Sequence, residues 1–80
     1  MGKIEKQLRK IPLNPRERVF AAIAMIMARN FSALDRRRLQ GHECIFRIRI
    51  GNYRIIYFDD GDRIVLKDIV RRSDTTYRDF

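Results

Sequence analysis

Cysteine is almost absent from this chain. Cys44 is the only one in 80 residues, so no internal disulfide framework can form, and a reducing, cytoplasmic setting is expected. Long hydrophobic runs are missing too. The longest stretch without a polar residue, Val19 to Ala28, has ten residues, whereas a membrane-spanning helix needs about 20. That run starts late and no small-residue cleavage site follows it, so no secretory signal and no membrane association are expected. There is no internal repeat, no low-complexity tract and no linker long enough to divide the chain, so residues 1–80 read as one domain. A glycine-rich phosphate loop and a Ser/His/Asp set are both lacking. His42 and Cys44 stand two apart, but no other Cys or His exists to complete a metal site, so neither a metal nor a small-molecule cofactor is expected. Asp59, Asp60 and Asp62 around Gly61 have the look of a calcium loop, yet no glutamate follows at the required distance, and a hairpin turn explains them better.

What the chain does have is positive charge. Eighteen Lys and Arg against ten Asp and Glu give a net charge of +8. Fourteen of the basic residues are Arg and only four are Lys. Arg carries a planar fork that bonds phosphate oxygens in pairs and stacks on bases, so this bias points to a polyanionic partner, with a general preference for Arg codons as the plainer explanation. The hydrophobic fraction of 45% is too high for a disordered tail. A domain of this size buries only roughly 60–65% of its unfolded surface, so a partner that binds the folded form would stabilise it.

The periodicity predicts two helices and then strands. Ile4, Leu8 and Ile11 recur at helical spacing among Lys, Glu and Arg, and Pro12 ends that helix. Asn14 as N-cap, Pro15 at the first helical position and Glu17 three after the cap open a second helix that runs to about Arg29, with Asn30 as a left-handed stop. Val19, Phe20, Ile23, Ile26 and Met27 form its apolar stripe, widened by Ala21, Ala22, Ala24, Met25 and Ala28. The Met and Ala side of so broad a surface suits either a partner helix or close packing on a small sheet. Phe31 to Gln40 reads as a connector. Its run Arg36, Arg37, Arg38 is either a solvated turn or a phosphate-contacting segment.

From Cys44 onward the period is two. Ile45 to Ile50 and Tyr53 to Phe58 alternate around Gly51-Asn52, a two-residue hairpin turn with Gly at the first central position. A further strand runs from Arg63 to about Val70. The fold class is therefore α+β, an N-terminal helical hairpin packed on a three-stranded antiparallel β-meander. The short turn fixes the register, with Ile50 opposite Tyr53, Arg49 opposite Arg54, Ile48 opposite Ile55 and Arg47 opposite Ile56. One face then carries Phe46, Ile48, Ile50, Tyr53, Ile55 and Tyr57 for the core. The other carries Arg47, Arg49 and Arg54 beside Ile45, Ile56 and Phe58.

Pairing Phe58 with Arg63 through the next turn would add Val65, Lys67, Ile69 and Arg71 to the arginine face, with Arg49, Arg54 and Lys67 in one row. Like charges directly opposite one another destabilise a sheet, so such a row implies an anion to place there, the alternative being splayed and screened arginines on a solvated face. This register points Asp68 at the core, and a bulge there would change which of Arg71 and Arg72 faces the site. Tyr77, in the polar tail, either stacks on a base or packs the last turn against the strands.

The run Phe46-Arg-Ile-Arg-Ile-Gly-Asn-Tyr-Arg-Ile-Ile-Tyr57, the later Arg71-Arg72-Ser-Asp-Thr-Thr-Tyr77, and upstream Leu8-Arg-Lys-Ile-Pro12 and Leu39-Gln-Gly41 together resemble the RelE/ParE toxin superfamily over nearly the whole chain. The resemblance implies the toxin of a type II toxin–antitoxin pair, with a cognate antitoxin as partner. RelE-like members cleave messenger RNA on the ribosome without metal and so inhibit translation. In that case Arg54 would stabilise the developing phosphorane charge, with Arg47 and Arg49 at the two basic positions before the turn. Arg71 or Arg72 would act near the leaving oxygen, and Tyr77 would stack on or orient the attacking nucleotide. Lys67, Arg36, Arg37 and Arg38 are further candidate phosphate contacts. Two departures stand out. Where other members carry lysines that can act as a base, Arg47 and Arg49 stay protonated, which leaves Tyr77, Glu43 or a ribosomal group to accept the proton. The usual first strand before the helices also has no counterpart here. ParE-like members inhibit DNA gyrase instead of cutting RNA, and a member that only binds is the third possibility.

Overall fold

The computed structural model describes residues 2–71. Helix α1 spans Lys3–Arg9 and α2 spans Leu13–Met27. Four strands follow, β1 Asp35–Arg38, β2 Ile45–Ile50, β3 Tyr53–Asp59 and β4 Ile64–Arg71, in one antiparallel sheet of order β1-β2-β3-β4. The α+β class and the helix-then-meander order hold, but the sheet has four strands where three were expected. The added strand comes from the Arg36–Arg38 segment, which pairs with β2 as Asp35↔Arg49, Arg36↔Ile48, Arg37↔Arg47 and Arg38↔Phe46. It shows no apolar alternation, because its helix-facing positions are arginines.

The helix ends differ in detail from expectation. Pro12, extended at φ −55° and ψ 153°, occupies the N-cap of α2, so Asn14 falls inside the helix and makes no capping bond. Here the fixed φ of Pro12 turns the chain into the helix without a side-chain cap. At the other end Arg29, not Asn30, takes the left-handed conformation, with φ 58°. The Arg29 N–H donates to Ile26 O at 3.0 Å and the Asn30 N–H to Met25 O at 2.9 Å, the bond pair of a Schellman cap. The buried stripe of α2 is Val19, Ala22 and Ile26, flanked by Ile23, while Phe20 and Met27 point outward with Leu13.

The β2–β3 hairpin has the anticipated register, from Ile45↔Phe58 to Ile50↔Tyr53. Gly51 sits at φ 56°, as the first central residue of such a turn requires. The core joins Leu8, Ile11, Val19, Ala22 and Ile26 of the helical layer to Ile48, Tyr53, Ile55, Tyr57 and Ile69 of the sheet.

The β3–β4 register departs from expectation. Phe58 pairs with Val65 rather than Arg63, and Ile56↔Asp68 is followed by Tyr57↔Leu66, which makes Lys67 the extra residue of a bulge. Beyond it every side chain changes face relative to the simple alternation. Ile69 stands opposite Ile55 in the core, and Arg71 stands opposite Tyr53 on the helix-facing side. Asp68, opposite Ile56, is buried at the edge of the sheet, where Gln7 Nε2 of α1 donates to its carboxylate and Lys3 Nζ lies 3.6 Å away. The same Gln7 side chain accepts the Ile69 N–H at 2.9 Å, closing part of the outer edge of β4.

Candidate nucleic-acid interface

The face of the sheet turned away from the helices is built by strand alternation. Arg47 and Arg49 alternate with the core residues Ile48 and Ile50, and Arg54 with Tyr53 and Ile55. Adding β1 gives two rows across the sheet. One runs Asp35, Arg49, Arg54, Val70, and the other Arg37, Arg47, Ile56, Asp68. Arg49 and Arg54 are directly opposite, with side chains starting about 5 Å apart. Arg47 and Arg54 are half-buried, whereas Arg37 and Arg49 are exposed. At the β1 end of the rows Asp35 reaches Arg37 at 3.6 Å, both partners well exposed. Four arginines therefore stand together on one side of a thin sheet.

The expected row of Arg49, Arg54 and Lys67 does not form. Arg54 faces Val70, and Lys67 lies in the bulge with its ammonium 6.0 Å from the Phe58 ring, further along the same face. Arg71 stands on the opposite side of the sheet from Arg54, because the bulge reverses the facing of the residues after it. Arg38 is exposed, opposite Phe46. Arg72 and Tyr77 lie outside the described residues.

Arg36 is built into the helix-facing side. Its guanidinium is sandwiched between the Phe31 ring at 4.2 Å and the Phe46 ring at 3.8 Å. Arg36 Nε donates to Tyr57 Oη at 2.6 Å and Nη2 to Asp59 Oδ2 at 3.3 Å. Arg29, carried there by the left-handed cap of α2, donates to both oxygens of Asp59 at 3.0 and 3.2 Å. Burial alone would raise the Asp59 carboxyl, but the Gly61 N–H and the two guanidinium groups outweigh it and hold the carboxyl below its ordinary value. Tyr57 is pushed up by burial, against the opposing bond from Arg36. Two cations on one carboxylate tie α2, β1 and β3 together. No local sequence signal announces this cluster, because its members are spread from position 29 to position 59.

Chemically, the outer face can hold and neutralise phosphate. Arg does not deprotonate at any relevant pH, so these residues can stabilise added negative charge but cannot accept a proton. Glu43 lies in the β1–β2 loop, outside the strands that carry the arginines. Among the described residues, no group of three or more His, Cys, Asp or Glu side chains converges as a metal site would require. No helix among them is long and apolar enough to cross a membrane.

Residues 2–76 match the family described as the ParE toxin of the type II toxin–antitoxin system parDE. The chain is 31% identical over 71 residues to Toxin RelE3 of Methanocaldococcus jannaschii, an alignment that covers 85% of this chain and 81% of that protein. Its fold is similar to a chain in the crystal structure of the RelB–RelE antitoxin–toxin complex from Methanococcus jannaschii, with a TM-score of 0.77 and 27% identity, covering 98% of this chain and 93% of that one.

Proposed function

The chain belongs to the RelE/ParE toxin superfamily of type II toxin–antitoxin systems, and from that premise we propose that it is a ribosome-dependent messenger-RNA endoribonuclease, held inactive in the cytoplasm by a cognate antitoxin. The observation that carries this reading is the gathering of Arg47, Arg49 and Arg54 on one sheet face through the β2–β3 register. In the proposed reaction a ribose 2′-oxygen bonds to the adjacent phosphorus and the bond from phosphorus to the 5′-oxygen breaks. The phosphorane between these events carries an extra negative charge. Arg54, half-buried and braced by the hairpin, is the group to stabilise it, with Arg47, Arg49 and Arg37 binding the flanking phosphates. Preorganised donors of this kind commonly contribute about 10²–10³ in rate each. Arg71 stands on the helix-facing side, so the role at the leaving oxygen is proposed for Arg72. Tyr77 is the residue proposed to stack on the attacking nucleotide. The proton acceptor is sought outside the arginine cluster, in Tyr77, Glu43 or a ribosomal group. The antitoxin is proposed from the relative whose complex with RelB has been solved.

A second reading, gyrase inhibition without RNA cleavage, draws on the ParE description of the matching family. Induced expression followed by transcript mapping separates the two. Under the nuclease reading, wild type arrests growth with cuts inside translated codons, and Arg54→Ala lowers cutting by at least about 100-fold. Growth arrest with intact transcripts and inhibited gyrase would sink the nuclease reading.

A further inference from the structure

The outer arginine face ends at the β2–β3 turn, and a second basic surface begins on the other side of that turn. Two adjoining cavities of about 350 and 460 Å³ lie between the α1–α2 elbow and the hairpin tip, and they share Pro12, Tyr53 and Arg71. Lys10 enters the first and Arg18 and Asn52 the second. The side chains of Lys10, Arg18 and Arg71 have no carboxylate partner among the described residues. The Arg18 guanidinium lies against the turn itself, where a Cβ on Gly51 would meet Nη1 at 3.3 Å. A side chain at position 51 would therefore both strain the turn and crowd Arg18. Three like charges lining two adjoining cavities without a counter-charge among the lining residues repel one another, and an anion placed between them lowers the repulsion. The positive end of α2, whose first turn carries no side-chain cap, adds to the same field.

We propose that this groove is a second phosphate-binding site, which takes the sugar–phosphate backbone of RNA as it passes round the hairpin tip from Arg49 and Arg54 to Arg18, Arg71 and Lys10. The inference rests on the RNA-binding reading of the outer face and extends it. Gly51 makes the passage short, because the tip carries no side chain there and the sheet is one layer thick. The RNA is either the cleaved strand or ribosomal RNA, and both present the same phosphates.

The test uses the full chain and two RNA probes, a short single-stranded oligouridylate and ribosomes stripped of messenger, with an acidic polyglutamate peptide as a third, protein-like probe. The double variant Lys10→Ala/Arg18→Ala removes two exposed cations that have no carboxylate partner among the described residues. A charge-matched control, Lys6→Ala/Arg9→Ala, removes two from α1. If the cleaved strand uses the groove, the double variant weakens oligouridylate binding roughly ten-fold and lowers the salt slope by about 0.7 for each phosphate no longer neutralised, while the control leaves the slope unchanged. If ribosomal RNA uses it, the weakening appears with ribosomes alone. Either outcome supports a phosphate site. Unchanged affinity for both probes overturns it, and so does an equal weakening in the control, which would mean bulk charge only. Weakened binding to an acidic polyglutamate peptide with RNA binding intact also overturns it, in favour of a protein partner. The outer face is read separately with Arg49→Ala/Arg54→Ala. Should that variant bind both probes normally while the groove variant does not, the groove stands and the outer-face reading falls.

Discussion

Arg36 and Arg49 sit one strand apart on the same sheet, and their surroundings have almost nothing in common. Arg36 lies between two aromatic rings, is bonded to Tyr57 and shares Asp59 with Arg29. Arg49 is exposed and stands directly opposite Arg54. The difference is one of counter-charge. On the helix-facing side a buried carboxylate turns two guanidinium groups into a structural clasp. On the outer face Arg49 has a second arginine across from it on one side and the solvent-exposed Asp35, paired with Arg37, on the other. An arginine-rich chain can thus be using its arginines for two unrelated purposes, and the placement of the nearest acid tells them apart.

The largest effect should come from breaking the clasp. Asp59→Asn leaves two partly buried cations without their anion and is expected to cost about 2–3 kcal/mol, read from the midpoint of urea denaturation. The Asp59 carboxyl is held below its ordinary value when folded. Its contribution is therefore complete above the unfolded value of about 4 and is lost as pH falls from there through the lowered folded value. Wild type should lose stability on that descent more steeply than the variant, and parallel curves would contradict the assignment. A smaller effect is expected from Arg36→Lys. The charge stays, but the planar stack between Phe31 and Phe46 and the fork to Tyr57 and Asp59 are lost, at roughly 1–2 kcal/mol by the same measurement. The smallest stability change belongs to Arg49→Ala, within about 0.5 kcal/mol, because an exposed residue facing a like charge contributes little to folding. Its effect should show instead as weaker RNA binding and a shallower salt slope. A destabilisation of Arg49→Ala equal to that of Arg36→Lys would erase the distinction between the two faces.

The hairpin was fully legible in the sequence, because two alternating runs joined by Gly51-Asn52 allow one register only, and Arg47, Arg49 and Arg54 came with it. Strand β1 was not legible. Its inward positions are filled by Arg36 and Arg38, and Arg36 is held by ring faces and a distant carboxylate rather than by its own hydrophobicity, so no local pattern announces a strand. The far end of the sheet was lost to the bulge at Lys67, since one extra residue reverses the facing of everything after it. Asp68 carried the only hint, as a charged residue at a position that simple alternation sends to the core. The groove at the hairpin tip brings Lys10 and Arg18 to Arg71 across more than fifty residues, a proximity that only the fold reveals.

Strand β1 also bears on how the protein behaves at high concentration. Among the described residues it is the edge of the sheet opposite β4, and its whole length reads Asp-Arg-Arg-Arg. A second sheet attempting to add there would have to stack these cations against its own, so the charges act as gatekeepers against edge-to-edge growth into fibres. Replacing them with the β-branched residues that strands usually prefer would give a chain easier to read as a sheet and harder to keep in solution.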